Sequence, residues 1–432
     1  MYERILLAVD GSDFSRRAGE AALTLAAAMR AELVVCHVYG ARMHKQRFED
    51  MEPGLPAKYG PSIGSLRAAH DPLIHEGLEA LSVGYGEKCV ATAREMGVAV
   101  RLVTAEGRNY VRILELADEQ RAGLLVLGAH GLGASGGRAG GQPAKTNGLL
   151  LGSTAAKVLQ HARCDVLIVR RSWPRAEEAA GASPTPDAGP IVVGIDGSDE
   201  ALSASAAAAD VARCLGRRLA VAAVYDPEFH TNVFRAMGRS LTPERQREVG
   251  LAEQEQLHDE LINDGLRTLY QGFLDRARQS LGNGAMRIDT DLLTGRVHHA
   301  LVGRAAACDA ALLAVGRFGH HREAISQVGS NAEAIAHLCA TDVLVTAPPA
   351  AERSAAAPGA ETAEHDPSAA PVEWDDDALA RLERVPKFVR PMARRAVERA
   401  VGQQGGRRVT EADFEAVARQ FGMGGPEKGN HG

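Results

Sequence analysis

The apolar run Ala310-Ala311-Leu312-Leu313-Ala314-Val315 is followed at once by Gly316-Arg317-Phe318-Gly319 and, after nine residues, by Gly329-Ser330. A short apolar run that ends at glycine is typical of a buried strand, and glycines let the next loop pass close to a ligand. Gly329-Ser330 then opens a helix, whose first backbone N–H groups lack partners within the helix and attract anions. The spacing predicts a phosphate-binding loop and favours a nucleotide as the ligand.

The chain contains an internal repeat, which shows the same loop a second time. Residues 5–12 match residues 191–198 at an offset of 186. In the first copy, however, twenty residues separate Gly131 from Gly152, where the second copy has nine. The additional residues are rich in glycine and indicate an insertion. One copy of the loop is therefore intact, and the other is stretched.

Each copy alternates short β-rich runs with longer helical patterns, which is typical of βαβ units on a parallel sheet. Ser12-Asp13 can cap a helix that continues through Ala18 to Ala28. A long connection follows the second strand in both copies, from Arg42 to Pro72 and from Asp226 to Gly250, and its prolines and glycines favour an irregular lid or a surface excursion. We predict strands near residues 4–9, 32–38, 98–104, 123–128 and 165–170, and again near 190–195, 218–224, 287–293, 310–315 and 343–346.

Composition limits the classes of function. The formal net charge of −6 over 432 residues gives no overall attraction to nucleic acid or to an anionic membrane. No apolar run approaches the length of a membrane span, and the strand that starts near Arg4 leaves no room for a signal peptide. The six cysteines lack CxxC spacing, so neither a zinc site nor a disulfide framework is indicated. We expect a cytoplasmic protein.

Shifts in composition divide the chain. Two stretches rich in Ala, Pro and acidic residues separate three segments with regular patterns. We expect domains over 1–172 and 190–347 and a small helical domain over 372–423, with linkers over 173–189 and 348–371 and a disordered tail over 424–432.

Both copies resemble the universal stress protein family. The resemblance rests on Asp10-Gly11-Ser12 and Asp196-Gly197-Ser198 after the first strand, and on the family signature Gly-2x-Gly-9x-Gly-Ser. It implies an α/β fold of two tandem Rossmann-like domains of the adenine nucleotide alpha hydrolase type, each with a five-stranded parallel sheet. The two domains would pack as an intrachain counterpart of the family's dimer.

The same resemblance implies ATP as the ligand, with Mg²⁺ held only through the phosphates. Asp196 would contact the base or the ribose. The phosphates would be held by Gly316, Gly319, Gly329 and Ser330. All of these positions match the family signature without a gap.

The first copy departs from the signature, although its residues match one by one. These residues are Asp10, Gly128, Gly131, Gly152 and Ser153. The insertion must fold away, or cover the loop, before they can converge, so binding and non-binding are equally open for this copy. In both copies the glycines have an alternative role as a tight turn, and Asp-Gly-Ser has one as a helix cap. We predict that ATP favours the second copy.

No catalytic residue is indicated. The chain lacks the Gly-x-x-x-x-Gly-Lys-Ser/Thr loop of P-loop ATPases and shows no paired base and nucleophile. Slow ATP hydrolysis or phosphotransfer, using charges of the His320-His321-Arg322 stretch, is an alternative hypothesis. The remaining histidines, His298-His299 among them, form no evident ligand set, so no metal site is predicted.

The C-terminal segment resembles the small helical domain that ends the light-independent protochlorophyllide reductase B subunit. The residues that carry this resemblance are Trp374, Ala378, Leu382, Val385-Pro386, Phe388-Val389-Arg390, Ala393-Arg394, Val397-Glu398, Ala400 and Val409-Thr410. In that enzyme the domain accompanies an iron-sulfur body, and this chain lacks the cysteine pattern such a cluster requires.

We expect this segment to dock a protein partner. The docking surface would be a stripe of basic residues at helical spacing, which consists of Lys387, Arg390, Arg394, Arg395 and Arg399. The absence of interleaved aromatic residues disfavours nucleic acid, and a solvated helix face is the alternative. Besides ATP binding and slow ATP hydrolysis, a further hypothesis is a nucleotide-independent scaffold that docks a redox or tetrapyrrole enzyme. Thr410 to Asp413 predicts a helix cap followed by acids in the first turn.

Overall fold

The computed structural model describes most of the chain. The described residues are 1–54, 63–132, 150–173, 189–227, 236–252, 263–282, 286–320, 328–348, 373–384, 390–403 and 408–420. Within these ranges, every helix is too short or too polar to cross a membrane. The predicted tail and most of both predicted linkers lie outside them.

The first half follows the predicted alternation of strands and helices. Its elements are β1 (Arg4–Ala8), α1 (Asp13–Met29), β2 (Glu32–Tyr39), α2 (Ala41–Met51), α3 (Ile63–Glu95), β3 (Val100–Glu106), α4 (Asn109–Glu119), β4 (Leu124–Gly128), α5 (Ser153–His161) and β5 (Asp165–Val169). The predicted cap of α1 is confirmed, because the hydroxyl of Ser12 accepts a hydrogen bond from the backbone N–H of Ser15 at 3.1 Å.

The second half repeats this order. Its elements are β6 (Ile191–Ile195), α6 (Asp199–Cys214), β7 (Leu219–Tyr225), α7 (Pro243–Glu248), α8 (Asn263–Leu281), β8 (Ile288–Thr294), α9 (Val297–Ala307), β9 (Leu312–Gly316), α10 (Ser330–Leu338) and β10 (Asp342–Thr346). All ten predicted strands are therefore confirmed within about two residues. Ser198 caps α6 as Ser12 caps α1.

The two halves share one ten-stranded sheet, in the order β3-β2-β1-β4-β5-β10-β9-β6-β7-β8. Strands within each half are parallel, and β5 pairs with β10 antiparallel, with Leu167 opposite Leu344. Apolar side chains cover both faces, which is why the strands read as nearly continuous apolar runs. The antiparallel junction makes the chain an intrachain counterpart of a two-fold dimer.

The long connection after β2 is more regular than its prolines and glycines predicted. Residues 41–51 and 63–72 are helical, and Pro72 lies inside α3. Contacts between α2 and α3 explain the difference, because Lys45 Nζ lies 3.1 Å from Asp71 Oδ2 and the ring of Phe48 stacks on that of His70. The expectation of an irregular backbone was wrong for these residues, which lie on either side of the prolines and glycines at 53–61 that suggested it.

Trp173, the first residue of the predicted linker, is held against the second half. Its side chain is buried, and its indole N–H donates to the Asp342 carboxylate. This bond anchors the end of the first half on the second.

The C-terminal segment folds around its own small core. Its elements are β11 (Glu373–Trp374), α11 (Asp376–Arg384), α12 (Arg390–Gln403), β12 (Arg408–Val409) and α13 (Glu411–Gln420). Thr410 and Asp413 exchange hydrogen bonds at the start of α13, which confirms the predicted cap. Among the residues of this segment that the structure describes, the buried core consists of Ala378, Leu382, Val397, Val401, Val409, Phe414 and Val417.

Candidate nucleotide site

Asp196 ties two loops together at the carboxyl edge of the second half's sheet. It follows β6, and its Oδ1 accepts hydrogen bonds from the backbone N–H and the hydroxyl of Ser198, at 3.0 and 2.6 Å. Its Oδ2 accepts a bond from the backbone N–H of His320, at 3.1 Å. The carboxylate therefore holds the loop after β9 against the loop after β6, although the two are far apart in sequence.

The glycines of the signature are required for space in this arrangement. A Cβ atom at residue 319 would lie 2.4 Å from Asp196 Oδ2, and one at residue 329 would lie 3.0 Å from the carbonyl oxygen of Arg317. A Cβ at residue 316 would meet the start of α6, at 3.1 Å from Glu200 Cβ. Larger residues at these positions would push apart the segments that form the loop.

The loop ends at the start of α10, as the sequence predicted. The backbone N–H of Gly329 donates to the carbonyl of Arg317 at 2.8 Å, which closes the loop onto the helix. Ser330 is the first helical residue and is exposed. The first amides of α10 cannot bond within the helix, so they are available to an anion at this point.

The first half forms the same frame on both sides of its insertion. Asp10 Oδ1 accepts from the N–H of Ser12 and Asp10 Oδ2 from that of Leu132, each at 3.0 Å. A Cβ at residue 131 would again lie 2.4 Å from the carboxylate, and Gly152 N–H donates to Ala129 O at 2.8 Å.

The structure thus brings together all five predicted residues of the first half. Gly128 lies tightly against the start of α1, and Ser153 begins α5. Residues 133–149, which include most of the insertion, lie outside the described ranges.

Two aromatic side chains that the sequence analysis missed cover the Asp-Gly turns. Tyr85 packs on Gly11 and Phe273 on Gly197, where a Cβ would come within 2.6 Å of either ring. Both turns have a positive φ, so glycine is required there by conformation as well. Tyr85 and Phe273 are related by the offset of 188 that also relates Gly128 to Gly316, a signal that a longer repeat alignment would have revealed.

The two sites differ in the polar groups that lie beside the aspartate. In the first half His37 Nδ1 lies 2.7 Å from the hydroxyl of Ser82, and burial lowers the pKa of His37. The matching residues of the second half are Ala223 and Tyr270. Burial, reinforced by the charge of Asp196, raises the pKa of the Tyr270 phenol. The first site therefore has an imidazole beside its aspartate, and the second site has an uncharged phenol.

His320 contributes a polar atom that has no hydrogen-bond partner among the described residues. Its Nε2 is buried and makes no hydrogen bond to the described residues, and its ring lies 6.1 Å from that of Phe273. A buried nitrogen without a partner is unusual and is expected to meet a ligand or a water. His321 and Arg322, the other charges proposed for this loop, lie outside the described residues.

Comparison with known protein families identifies the two halves. The family model "Universal stress protein family" matches residues 1–170 and 188–347, well over half of the chain. The chain belongs to the universal stress protein family. A universal stress protein of Methanocaldococcus jannaschii is 31% identical over 175 residues, which is 40% of this chain and 84% of that protein. Another, from Thermus aquaticus, is 33% identical over 172 residues, covering 39% of this chain and all of that protein.

Solved structures and the C-terminal segment complete the comparison. A universal stress protein from Archaeoglobus fulgidus covers 80% of this chain and 98% of its own, at 16% identity and a TM-score of 0.45. A universal stress protein in complex with cAMP covers 40% of this chain and 99% of its own, at 27% identity and a TM-score of 0.27. Residues 374–417 match the family model "Proto-chlorophyllide reductase 57 kD subunit".

Proposed function

We propose that this universal stress protein binds ATP in its second half and acts as a cytoplasmic stress-response or regulatory protein. The observation that carries the proposal is the Asp196 carboxylate, which joins the glycine loop to the first strand beside the open start of α10. A hydrogen-bonding base or ribose group and a chain of phosphates are the two ligand features that such a site recognises. Mg²⁺ would be held through the phosphates.

The hydrogen-bond inventory of Asp196 favours a ligand that donates. Each carboxylate oxygen accepts two hydrogen bonds. Within the described part of the chain, Oδ1 accepts two, and Oδ2 accepts one, from the N–H of His320. The remaining lone pair of Oδ2 suits an amine or hydroxyl donor, as offered by an adenine amino group or a ribose hydroxyl. The phosphates would then extend along the glycine loop toward Ser330.

The site is better suited to binding phosphates than to catalysing a reaction on them. The loop offers backbone N–H groups at a helix start, an arrangement that binds anions without proton transfer. Nε2 of the His320 imidazole has no hydrogen-bond partner among the described residues, so no described base or nucleophile is paired with it. We therefore favour binding over hydrolysis, and steady-state phosphate release at saturating Mg²⁺-ATP measures the difference.

A paired set of double variants tests the assignment. In Gly329→Val with Ser330→Ala, the new side chain meets the Arg317 carbonyl and the helix start loses its hydroxyl. We expect calorimetric ATP affinity to fall by about tenfold or more, equivalent to about 1.4 kcal/mol. The matched control is Gly152→Val with Ser153→Ala, which makes the same change in the first half. Unchanged affinity in the second-half variant, with the fold intact by circular dichroism, would refute the site.

We predict that ATP occupies the two sites unequally, because the residues beside the two aspartates differ. The frames of the two sites agree, but His37 and Ser82 replace Ala223 and Tyr270 beside the aspartate. The insertion of the first half adds a further difference in sequence at the loop itself. ATP titration should give one tighter site per chain, and two equivalent sites would contradict the prediction.

The C-terminal segment supports a role in docking a protein partner. It has its own core and matches a domain of a multi-subunit reductase family. The described part of the predicted basic stripe is already paired, because Arg394 Nε lies 2.9 Å from Glu398 and Arg390 donates to the carbonyl of Glu383. Such pairing weakens a purely electrostatic attraction to nucleic acid. A pull-down with and without residues 372–432 tests the docking role.

A further inference from the structure

Two buried arginines cross the junction between the halves, each ending on a helix of the opposite half. Arg317 Nη1 donates to the carbonyl of Leu159 at 2.9 Å, and its Nη2 lies 3.4 Å from the carbonyl of Cys164. Arg170 Nη2 donates to the carbonyl of Ala336 at 2.6 Å. Both side chains are almost completely buried, with 3% and 6% of their surface exposed.

The accepting carbonyls belong to the last turns of the two helices that begin at the glycine loops. Leu159 lies in α5 and Ala336 in α10, at matching positions of the repeat. Carbonyls of a last helical turn have no partner within the helix, and a cation there also interacts favourably with the helix dipole. Each arginine therefore satisfies and holds the C-terminal end of a helix whose N-terminal end faces a candidate ligand.

Arg317 has a second connection that Arg170 lacks. It lies inside the glycine loop of the second half, and its own carbonyl accepts the N–H of Gly329. Its backbone therefore helps to form one site, while its side chain holds the helix that begins the other. The equivalent residue of the first half is Ala129, whose carbonyl bonds Gly152 in the same way but which has no side chain to cross the junction.

We propose that Arg317 is a positioning residue that couples the two nucleotide sites, so that ATP in the second half favours binding in the first. The coupling rests on the proposed function. A ligand that orders the loop from Gly316 to Gly319 fixes the backbone of Arg317, and the guanidinium then fixes the end of α5. ATP bound in the second half thus orders α5, the helix that begins at Ser153, before ATP binds in the first half. The second binding event then costs less conformational entropy, which gives positive cooperativity. Linkage makes the effect reciprocal.

Hydrogen exchange of the full-length chain measures this coupling directly. The Gly131→Val variant blocks the first site through its clash with Asp10. In that background we expect Mg²⁺-ATP to slow exchange of the amides of α5, although the ligand is bound only in the second half. Adding Arg317→Met should abolish that protection. Arg304→Met is the matched control, because Arg304 pairs with Asp291 within the second half and should leave the protection in place.

Calorimetry gives the size of the effect. First-site affinity should be about three- to tenfold higher in the wild-type chain than in Gly319→Val, where the second site is blocked, and Arg317→Met should remove the difference. If Arg317→Met does not fold, Arg317→Lys keeps the charge but cannot span both carbonyls, and it should reduce the coupling.

The outcomes separate the two proposals. Absence of ATP binding in Gly131→Val overturns the proposed function, and the coupling falls with it. ATP binding without added protection of α5, or with the same protection in Arg317→Met, overturns the coupling alone.

Discussion

The contact between Gly319 and Asp196 is the most exacting geometric feature of the site. A Cβ atom at residue 319 would lie 2.4 Å from Asp196 Oδ2, about 1 Å inside the usual contact between nonbonded heavy atoms. Gly319 does not have a positive φ, so space and not backbone conformation requires the glycine. The Gly319→Ala variant therefore isolates a steric effect on the carboxylate.

The expected loss of stability in Gly319→Ala follows from the groups that the new methyl group displaces. The new methyl group displaces the carboxylate or the loop, and the 3.1 Å hydrogen bond from His320 N–H is lost. A hydrogen bond to a charged group contributes about 1.5–3 kcal/mol, and overpacking costs about 1–3 kcal/mol. Because Asp196 is only half-buried and can move toward solvent, we expect the free energy of unfolding to fall by about 2 kcal/mol. ATP affinity should fall with it.

Urea unfolding followed by circular dichroism measures the change, and calorimetry measures the affinity. Gly303→Ala is the control, because Gly303 lies within α9 with no atom within 4 Å of its added Cβ, and it should gain about 0.5–1 kcal/mol. Gly131→Ala repeats the clash in the first half. If Gly319→Ala is as stable as the wild type and binds ATP equally well, the reasoning about the loop is refuted.

Three further changes test the junction and the sites. Asp342→Asn should lower the free energy of unfolding by about 2 kcal/mol in urea titrations, because the Trp173 indole N–H loses its charged acceptor and the two backbone bonds lose theirs. Phe273→Ala should cost about 3–5 kcal/mol in the same assay, since its ring is 2% exposed. Because burial depresses the pKa of His37, the unfolded chain gains a proton first as pH falls below about 6.5, so acid should destabilise the wild type more than His37→Gln between pH 7.5 and 5.5.

The sequence predicted the strands and the glycine loops well, because both depend on local features. Runs of apolar residues that end at Asp-Gly or Gly-x-x-Gly bury themselves in any parallel sheet. The helices at residues 41–51 and 63–72 were missed, because the prolines and glycines at 53–61 dominated the prediction for the whole connection. The contact of Lys45 with Asp71, which joins the two helices, is not visible in local sequence signals.

The arginines of the junction were missed for a different reason. Arg317 meets Leu159 across 158 residues of sequence, and no periodicity links them. Comparison of the repeats does contain a signal, however. Arginine at 317 stands where the first half has Ala129, and arginine at 170 where the second half has Ala347. A large charged residue that replaces alanine at an otherwise matching position indicates a role specific to one half.

That mismatch also shows what a fused chain can do that a symmetric dimer cannot. In a two-fold dimer every contact across the interface occurs twice with the same residues. Here the backbone contacts keep that symmetry, because Asp165 accepts the N–H of Ala347 as Asp342 accepts that of Arg170. The side chains break it, because Arg317 reaches into the other half, whereas its counterpart Ala129 has no side chain that could. Fusion thus permits a contact between the two sites that starts from one loop alone, which identical subunits cannot encode.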